Sequence, residues 1–252
     1  MKDGGSKVNL HKLACAITFH FAGNVLSSGT GYSLKRNPLG LIVLAVFVCP
    51  SDRVGGQELP WTKGSTTIAV LPDTQYYTTK YPENFEAQTR WISENHEKRN
   101  IAHVWHLGDI TQDDSPGQWN LARRCFDMIE GKVPYLLVPG NHDYGTEVPR
   151  SSRLSEYFPV EKMRRCSAFG GSYHAGKLHN NYHLFRIGDQ QWIALGLEFG
   201  PREEVVEWAS KILDQHADRY AAVVTHAYLF RDNVRYDYTQ GSQRTSPHGF
   251  AG

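Results

Sequence analysis

The sequence has little cysteine, little excess charge and no long apolar run, and each shortage excludes a class of protein. Four cysteines in 252 residues are too few and too scattered for a disulfide framework. The 27 basic and 26 acidic residues give a net charge of +1, so nothing indicates a nucleic-acid-binding surface. The apolar run at 39–49 is too short to cross a bilayer as a helix. With 40% hydrophobic residues, the chain can bury a sizeable core without a stable membrane span.

We interpret residues 1–63 as a leader, a signal-like segment at 35–49 and a linker. Lys35 and Arg36 precede the apolar run, and Pro50, Ser51 and a Gly-rich stretch follow it, which is the order of a secretory signal. The alternative is that 39–49 is a buried strand or helix of the fold, because short apolar runs discriminate poorly. The signal interpretation predicts a secreted or periplasmic protein whose folded domain occupies 64–252.

Alternating strand and helix patterns predict a parallel sheet in the first half of this domain. Apolar and β-branched runs predict strands at 66–71, 101–107 and 133–138. Amphipathic segments between them predict helices at 82–99 and 115–130. This order is typical of parallel strands joined by crossover helices.

The second half of the domain changes character. Runs at 182–187 and 191–197 flank Gly188-Asp189 and predict a hairpin. A helix is predicted from Pro201, and a last apolar strand at 221–224. Cys125 shares an apolar helical face with Leu121 and Ile129, so we expect it in the core.

Four predicted strands end in polar residues, which are Asp73 with Gln75, Asp109, Asn141 with His142 and Asp143, and His226. Because the carboxyl ends of parallel strands face one crevice, we expect these residues to meet. Carboxylates, an amide oxygen and an imidazole without thiolate suit Mn, Fe, Zn or Mg. Two metal ions bridged by a carboxylate can clamp a phosphoryl group and supply hydroxide at neutral pH.

These motifs resemble, in order and spacing, the first four motifs of the calcineurin-like metallophosphoesterases: Asp73-Thr74-Gln75, Gly108-Asp109, Gly140-Asn141-His142-Asp143 and Val224-Thr225-His226. The resemblance implies an α/β fold, a two-sheet α/β/β/α sandwich, with a dinuclear Mn, Fe or Zn centre at the strand ends. It implies that Asp73 and Gln75 bind the first metal and that Asp109 bridges. Asn141 and His226 would bind the second metal, and His142 would steady the phosphate or protonate the leaving oxygen.

The sequence departs from the family pattern in three places. Gln75 stands where the first motif usually has histidine. Gln112 stands where many relatives have an acidic residue that orients the catalytic histidine, so Asp113 or Asp143 would have to serve. The family's last Gly-His motif does not follow His226, so we expect a C-terminally incomplete domain. Pro247 and Gly249 predict a turn at His248, and the alternative is that His248 is a substitute ligand.

The resemblance implies hydrolysis of a small-molecule phosphate mono- or diester by a metal-bound hydroxide, with His142 and Asp143 as catalytic residues. The alternative is an inactive binding protein of the same fold that lacks the last metal ligands. Other candidates for the surroundings of the site are His103 and His106 in a strand, His174, His179 and His183 as cleft residues, and Tyr76, Tyr77 and Trp119 as cleft walls. The alternative for each histidine is a surface or hydrogen-bonded core residue, and the alternative for Trp119 is packing of its own helix.

Overall fold

The computed structural model describes residues 64–145 and 150–229, together with the backbone of 41–42. Within these residues the strands are β1 (Leu41–Ile42), β2 (Thr67–Leu71), β3 (Ile101–His106), β4 (Tyr135–Leu137), β5 (Phe169–Ser172), β6 (Asn181–Ile187), β7 (Gln190–Gly196) and β8 (Tyr220–Val224). The helices are α1 (Gln75–Thr79), α2 (Pro82–Asn95), α3 (Pro116–Asp127), α4 (Leu154–Tyr157), α5 (Val160–Met163) and α6 (Glu203–Gln215), with a 3-10 turn at Asn141–Asp143.

The strands form two sheets. The smaller sheet has the order β2-β3-β4 and is parallel throughout, as predicted for the first half of the domain. The larger sheet has the order β1-β8-β7-β6-β5. Its β6–β7 hairpin is antiparallel, whereas β8 runs parallel to β7, so this sheet is mixed.

Period-2 alternation along the strands places the sheets face to face with helices outside. In β2, Ile68 and Val70 join the core between the sheets, whereas Ala69 and Leu71 join the core beneath α2 and α3. On the other side, α6 packs its apolar stripe against the outer face of β7 and β8. This layering is the predicted α/β/β/α sandwich.

Several element boundaries differ from the predictions. β4 has three residues rather than the six at 133–138, because only this part of the run pairs with β3. α2 ends at Asn95 rather than near 99, and the chain turns into β3 through Asn100 at a φ of 47°. Cys125 is fully buried, as predicted. Of the two alternatives for Trp119, the structure supports packing of its helix, because the side chain is fully buried and its indole donates to Asp114 in the core.

Most of the N-terminal segment lies outside the described residues. The exception is β1, which falls inside the run at 39–49 and pairs with Ala221 and Ala222 of β8. That pairing is what the alternative interpretation of this run expects, while export stays a prediction. No helix of the described ranges is long and apolar enough to cross a membrane.

Candidate active site

The predicted polar residues follow four strands within a few residues of each strand end. Asp73 comes shortly after β2, Asp109 after β3, Asn141 after β4 and His226 after β8. β2, β3 and β4 are parallel within the smaller sheet, and β8 belongs to the sheet stacked upon it. The two sheets therefore bring their carboxyl ends to one edge of the sandwich, where loops rather than strands hold the side chains.

His226 lies at the centre of the convergence. Its Nε2 is 3.1 Å from Asn141 Oδ1 and 3.4 Å from Asp109 Oδ2. Its Nδ1 is 3.7 Å from Asp73 Oδ1. Four residues separated by up to 153 positions in the chain, from 73 to 226, thus meet as the strand pattern predicts.

The tautomer of His226 directs its other nitrogen into the site. Because the Leu107 carbonyl oxygen can only accept, Nδ1–H donates to it at 3.0 Å, and Nε2 faces the Asn141 and Asp109 oxygens. Burial disfavours a charged imidazole, but the hydrogen bond and charge of Asp109, helped by Asp73, raise the pKa of His226 to about 9. These atoms therefore either share a proton or hold a cation.

The donor set fits a transition metal. An imidazole nitrogen, a carboxylate oxygen and an amide oxygen without thiolate suit Mn, Fe or Zn. Across 64–145 and 150–229, no three His, Cys, Asp or Glu side chains are placed to hold a metal ion by themselves. The Asn141 Oδ1 lies 3.1 Å from His226 Nε2 and is the amide oxygen of this donor set. Gln75 adds an acceptor at the start of α1, because its buried Oε1 has no hydrogen-bond partner among the described residues. This oxygen fits the ligand role assigned to Gln75.

Two glycines are required where the loops after β3 and β4 touch. Gly108 has a φ of +97°, and a Cβ there would lie 2.8 Å from Gly140 N and 2.9 Å from His226 Cβ. A Cβ on Gly140 would overlap Asp109. The two glycines thus allow the backbones of the two loops that carry the predicted ligands to come into direct contact.

Asp143 connects the loop after β3 to the loop after β4 through hydrogen bonds. Its Oδ2 accepts from Ile110 N and Gly140 N, both at 2.9 Å, and its Oδ1 accepts from Thr111 N at 2.7 Å and Thr111 Oγ1 at 2.9 Å. Burial and the Asp109 charge raise the pKa of Asp143 to about 7, against these donors. Asp143 is fully buried, so the structure gives it a positioning role and no access to a substrate.

His142 is held by Gln112, which corrects the prediction that Asp113 or Asp143 would orient it. The His142 Nδ1–H donates to the Gln112 carbonyl oxygen at 2.9 Å, and the Gln112 amide nitrogen is 3.2 Å from the same atom. Asp113 instead accepts from Gln118. The backbone N–H of His142 donates to Asp109 Oδ1 at 2.9 Å, so the predicted acid is tied to the predicted bridging carboxylate.

His106 links two of the ligand loops, a role that sequence reasoning missed. Its Nδ1 accepts from Gly108 N at 3.2 Å, and its Nε2 is 3.1 Å from Thr74 Oγ1, whose own hydroxyl donates to Ile110 O. Burial, with the His226 charge, lowers the pKa of His106 to about 3, so it is a neutral imidazole that donates from Nε2. The sequence feature that could have indicated this role is the position of His106, three residues before Asp109.

The remaining candidates lie elsewhere. His183 is a hydrogen-bonded core histidine, as its alternative interpretation predicts, and does not line a cleft. Its Nδ1 lies 3.0 Å from His103 Nε2 in the core between the sheets. His174 and His179 line a separate cavity. Tyr76 is exposed and Tyr77 packs partly against the core, whereas His248 lies outside the described residues.

The chain is similar to known proteins in sequence and in structure. The family described as calcineurin-like phosphoesterase matches residues 66–245. The uncharacterized protein YvnB of Bacillus subtilis (strain 168) is 33% identical over 192 residues, which is 75% of this chain and 15% of that relative's length. The structure of the purple acid phosphatase PPD1 from yellow lupin (Lupinus luteus) seeds is 18% identical, with a TM-score of 0.42 over 74% of this chain and 35% of that chain.

Proposed function

The chain belongs to the calcineurin-like phosphoesterase family, and we propose that it hydrolyses a small-molecule phosphate mono- or diester with two metal ions at the strand-end site. The family supports metal-dependent phosphoester hydrolysis in general. The observation that carries the proposal is the convergence of His226 Nε2 with Asn141 Oδ1 at 3.1 Å and Asp109 Oδ2 at 3.4 Å. These nitrogen and oxygen atoms come from three different strand ends. A hard or borderline metal ion prefers such atoms as ligands.

We assign the metal ligands residue by residue. Asp73 and the orphan oxygen of Gln75 would hold the first ion, Asn141 and His226 the second, and Asp109 both. When bound, the metal ions would polarise the phosphoryl oxygens and lower the pKa of the attacking water. The remaining chemistry belongs to side chains of the chain itself.

His142 is the proposed general acid. Its Nδ1–H is held by the Gln112 carbonyl oxygen, so Nε2 is the nitrogen that donates a proton to the leaving oxygen. Its backbone N–H is held by Asp109, which keeps the acid at a set distance from the metal-bridging carboxylate. Asp143 and the two motif glycines fix the position of one loop relative to the other, so His142 keeps its position relative to the proposed metal ligands.

Metal content and turnover test the proposal together. The purified chain, loaded with manganese, is expected to hold two metal ions and to hydrolyse p-nitrophenyl phosphate or bis-p-nitrophenyl phosphate. Asp109→Asn should lower turnover by about 100-fold or more, because it weakens the shared ligand. The matched control is Asp113→Asn, which removes an exposed carboxylate whose side-chain partner among the described residues is Gln118.

Two results would contradict the proposal in different ways. Fewer than two bound metals with no hydrolysis of either ester would favour the alternative, a binding protein of the same fold. Unchanged turnover in Asp109→Asn would remove the bridging assignment even if the protein is a phosphoesterase.

A further inference from the structure

A basic cavity of about 370 Å³ lies behind the loop that carries His142. Its lining side chains include Arg150, Lys177, His179, Asn180, Glu198 and Arg202. Tyr144 connects it to the active site, because Tyr144 directly follows Asp143 and its ring stacks on His179 with centroids 6.1 Å apart. Phe199 makes a second connection, since its ring lies 5.9 Å from His226 and its carbonyl oxygen accepts from Arg150 at 3.2 Å.

Glu198 is the single carboxylate that lines the cavity, and both of its oxygens contact neighbouring side chains. Glu198 Oε1 accepts from Arg202 Nε at 2.8 Å and lies 3.5 Å from Arg150 Nη1. Its Oε2 accepts from Asn180 Nδ2 at 3.0 Å. These contacts outweigh burial and lower the pKa of Glu198, so it is ionised and anchors both guanidinium groups at the wall.

The cavity keeps a positive excess after this pairing. Arg202 also pairs with Glu204 outside the cavity, at 2.9 Å. Lys177 has no acidic partner within the part of the chain that the structure describes. A cation left without a partner at the mouth of a cavity favours an anionic ligand.

His179 supplies the second, independent observation. The residue is only 7% exposed, and its buried Nε2 has no hydrogen-bond partner among the described residues. Burial and the nearby Lys177 charge lower the pKa of His179 to about 4, so the ring is neutral and carries one N–H. A buried ring nitrogen without a partner is costly unless a ligand satisfies it.

We propose that this cavity is an oxyanion subsite that binds a phosphate group, contacted directly by Lys177 and His179. The phosphate is either a second anionic group on the substrate or free inorganic phosphate. The substrate case rests on the proposed hydrolase function, whereas binding of free phosphate does not.

Binding is tested on the metal-free full chain with inorganic phosphate, followed by isothermal titration calorimetry. Lys177→Gln is expected to weaken phosphate binding roughly tenfold, because it removes a charge-assisted contact. Lys211→Gln, which removes an equal charge from the exposed side of α6, should stay within about twofold of wild type. In nitrogen-15 spectra, the ring resonances of His179 should shift on phosphate addition more than those of His142 and His226. Equal binding by both variants, or no shift at His179, overturns the subsite.

Kinetics with manganese then identify the source of the phosphate. If the substrate supplies it, Lys177→Gln raises KM for an ester carrying a second phosphate and leaves KM for p-nitrophenyl phosphate unchanged. If free phosphate is the ligand, Lys177→Gln leaves both KM values unchanged while its calorimetric affinity for phosphate is weaker. Absence of any turnover would contradict the proposed function alone, because the calorimetric result still decides the subsite.

Discussion

Acidification is expected to destabilise the protein through the buried histidine pair between the sheets. His103 on β3 and His183 on β6 are both fully buried. His103 Nδ1–H donates to Val104 O at 3.0 Å, so its Nε2 accepts from His183 Nδ1–H at 3.0 Å, and His183 Nε2 has no partner among the described residues. This arrangement gives the single N–H of each neutral ring an acceptor, and an added proton would be buried without one.

The pKa shifts set both the sign and the size of the effect. Burial lowers the pKa of His103 to about 4 and, with the charge of His103, lowers that of His183 well below its usual value. The unfolded chain therefore binds protons first, so stability is fully present above the unfolded pKa of about 6.5 and falls as pH drops below it. At a pH near 5.5, the unfolded-state pKa limits the loss in the free energy of unfolding to about 1.4 kcal/mol per ring. His103, with a pKa of about 4, loses nearly all of that amount, and the lowered pKa of His183 adds to the loss. A typical free energy of unfolding is about 5–15 kcal/mol, so the loss is a large share of it.

Urea unfolding of the wild type and of His183→Leu, at about pH 7.5 and about pH 5.5, measures this contribution. Other titrating groups act equally in both proteins. The decrease in the free energy of unfolding on acidification should therefore be smaller in the variant than in the wild type, by up to about 1.4 kcal/mol. Phe169→Leu is the matched control, because the Phe169 ring centroid lies 5.5 Å from that of His183 and phenylalanine does not titrate. It should lower the free energy of unfolding equally at both pH values. An acid-induced loss in His183→Leu as large as in the wild type would refute the reasoning.

Two further variants test the loops around the site. Gly140→Ala places a methyl group against Asp109 and should lower manganese-dependent turnover by about 100-fold, because the ligand must move. Gly117→Ala, which has open surroundings, should leave turnover unchanged. Asp143→Asn turns an amide N–H towards buried donors and should lower the free energy of unfolding by about 1–3 kcal/mol in urea. The exposed Asp113→Asn should change it by less than about 0.5 kcal/mol, and equal losses in the two variants would show that Asp143 does not hold the loops.

The convergence of the strand-end polar residues could be predicted from the sequence, because the end of an apolar run marks the end of a strand. An apolar run of β period followed by a polar residue marks the edge of a sheet, and alternation with helices makes the strands parallel. Asp73, Asp109 and Asn141 could therefore be placed together before any distance was known. His226 joined them through a later strand of the same kind.

The partners of those residues could not be predicted in the same way. Asp113 and Asp143 were chosen to orient His142 because they carry carboxylates, yet the oxygen in reach is the backbone carbonyl of Gln112. Every residue has such a carbonyl, so no sequence signal distinguishes this one. The sequence also does not decide whether Trp119 lines a cleft or packs its helix, since an aromatic residue near a motif does not reveal which side of its helix faces the core.

By itself, the sequence determined the order of the main strands and helices and the residues that end the strands, because both follow from local periodicity. The two-sheet class was implied only by the resemblance of the motifs to a known family. Only the tertiary structure decided which distant side chains share one space. The His103–His183 pair and the basic cavity around Lys177 and His179 join segments from different elements, and contacts of that kind depend on how two sheets stack. Stacking is set by packing across the whole core, which no local pattern encodes.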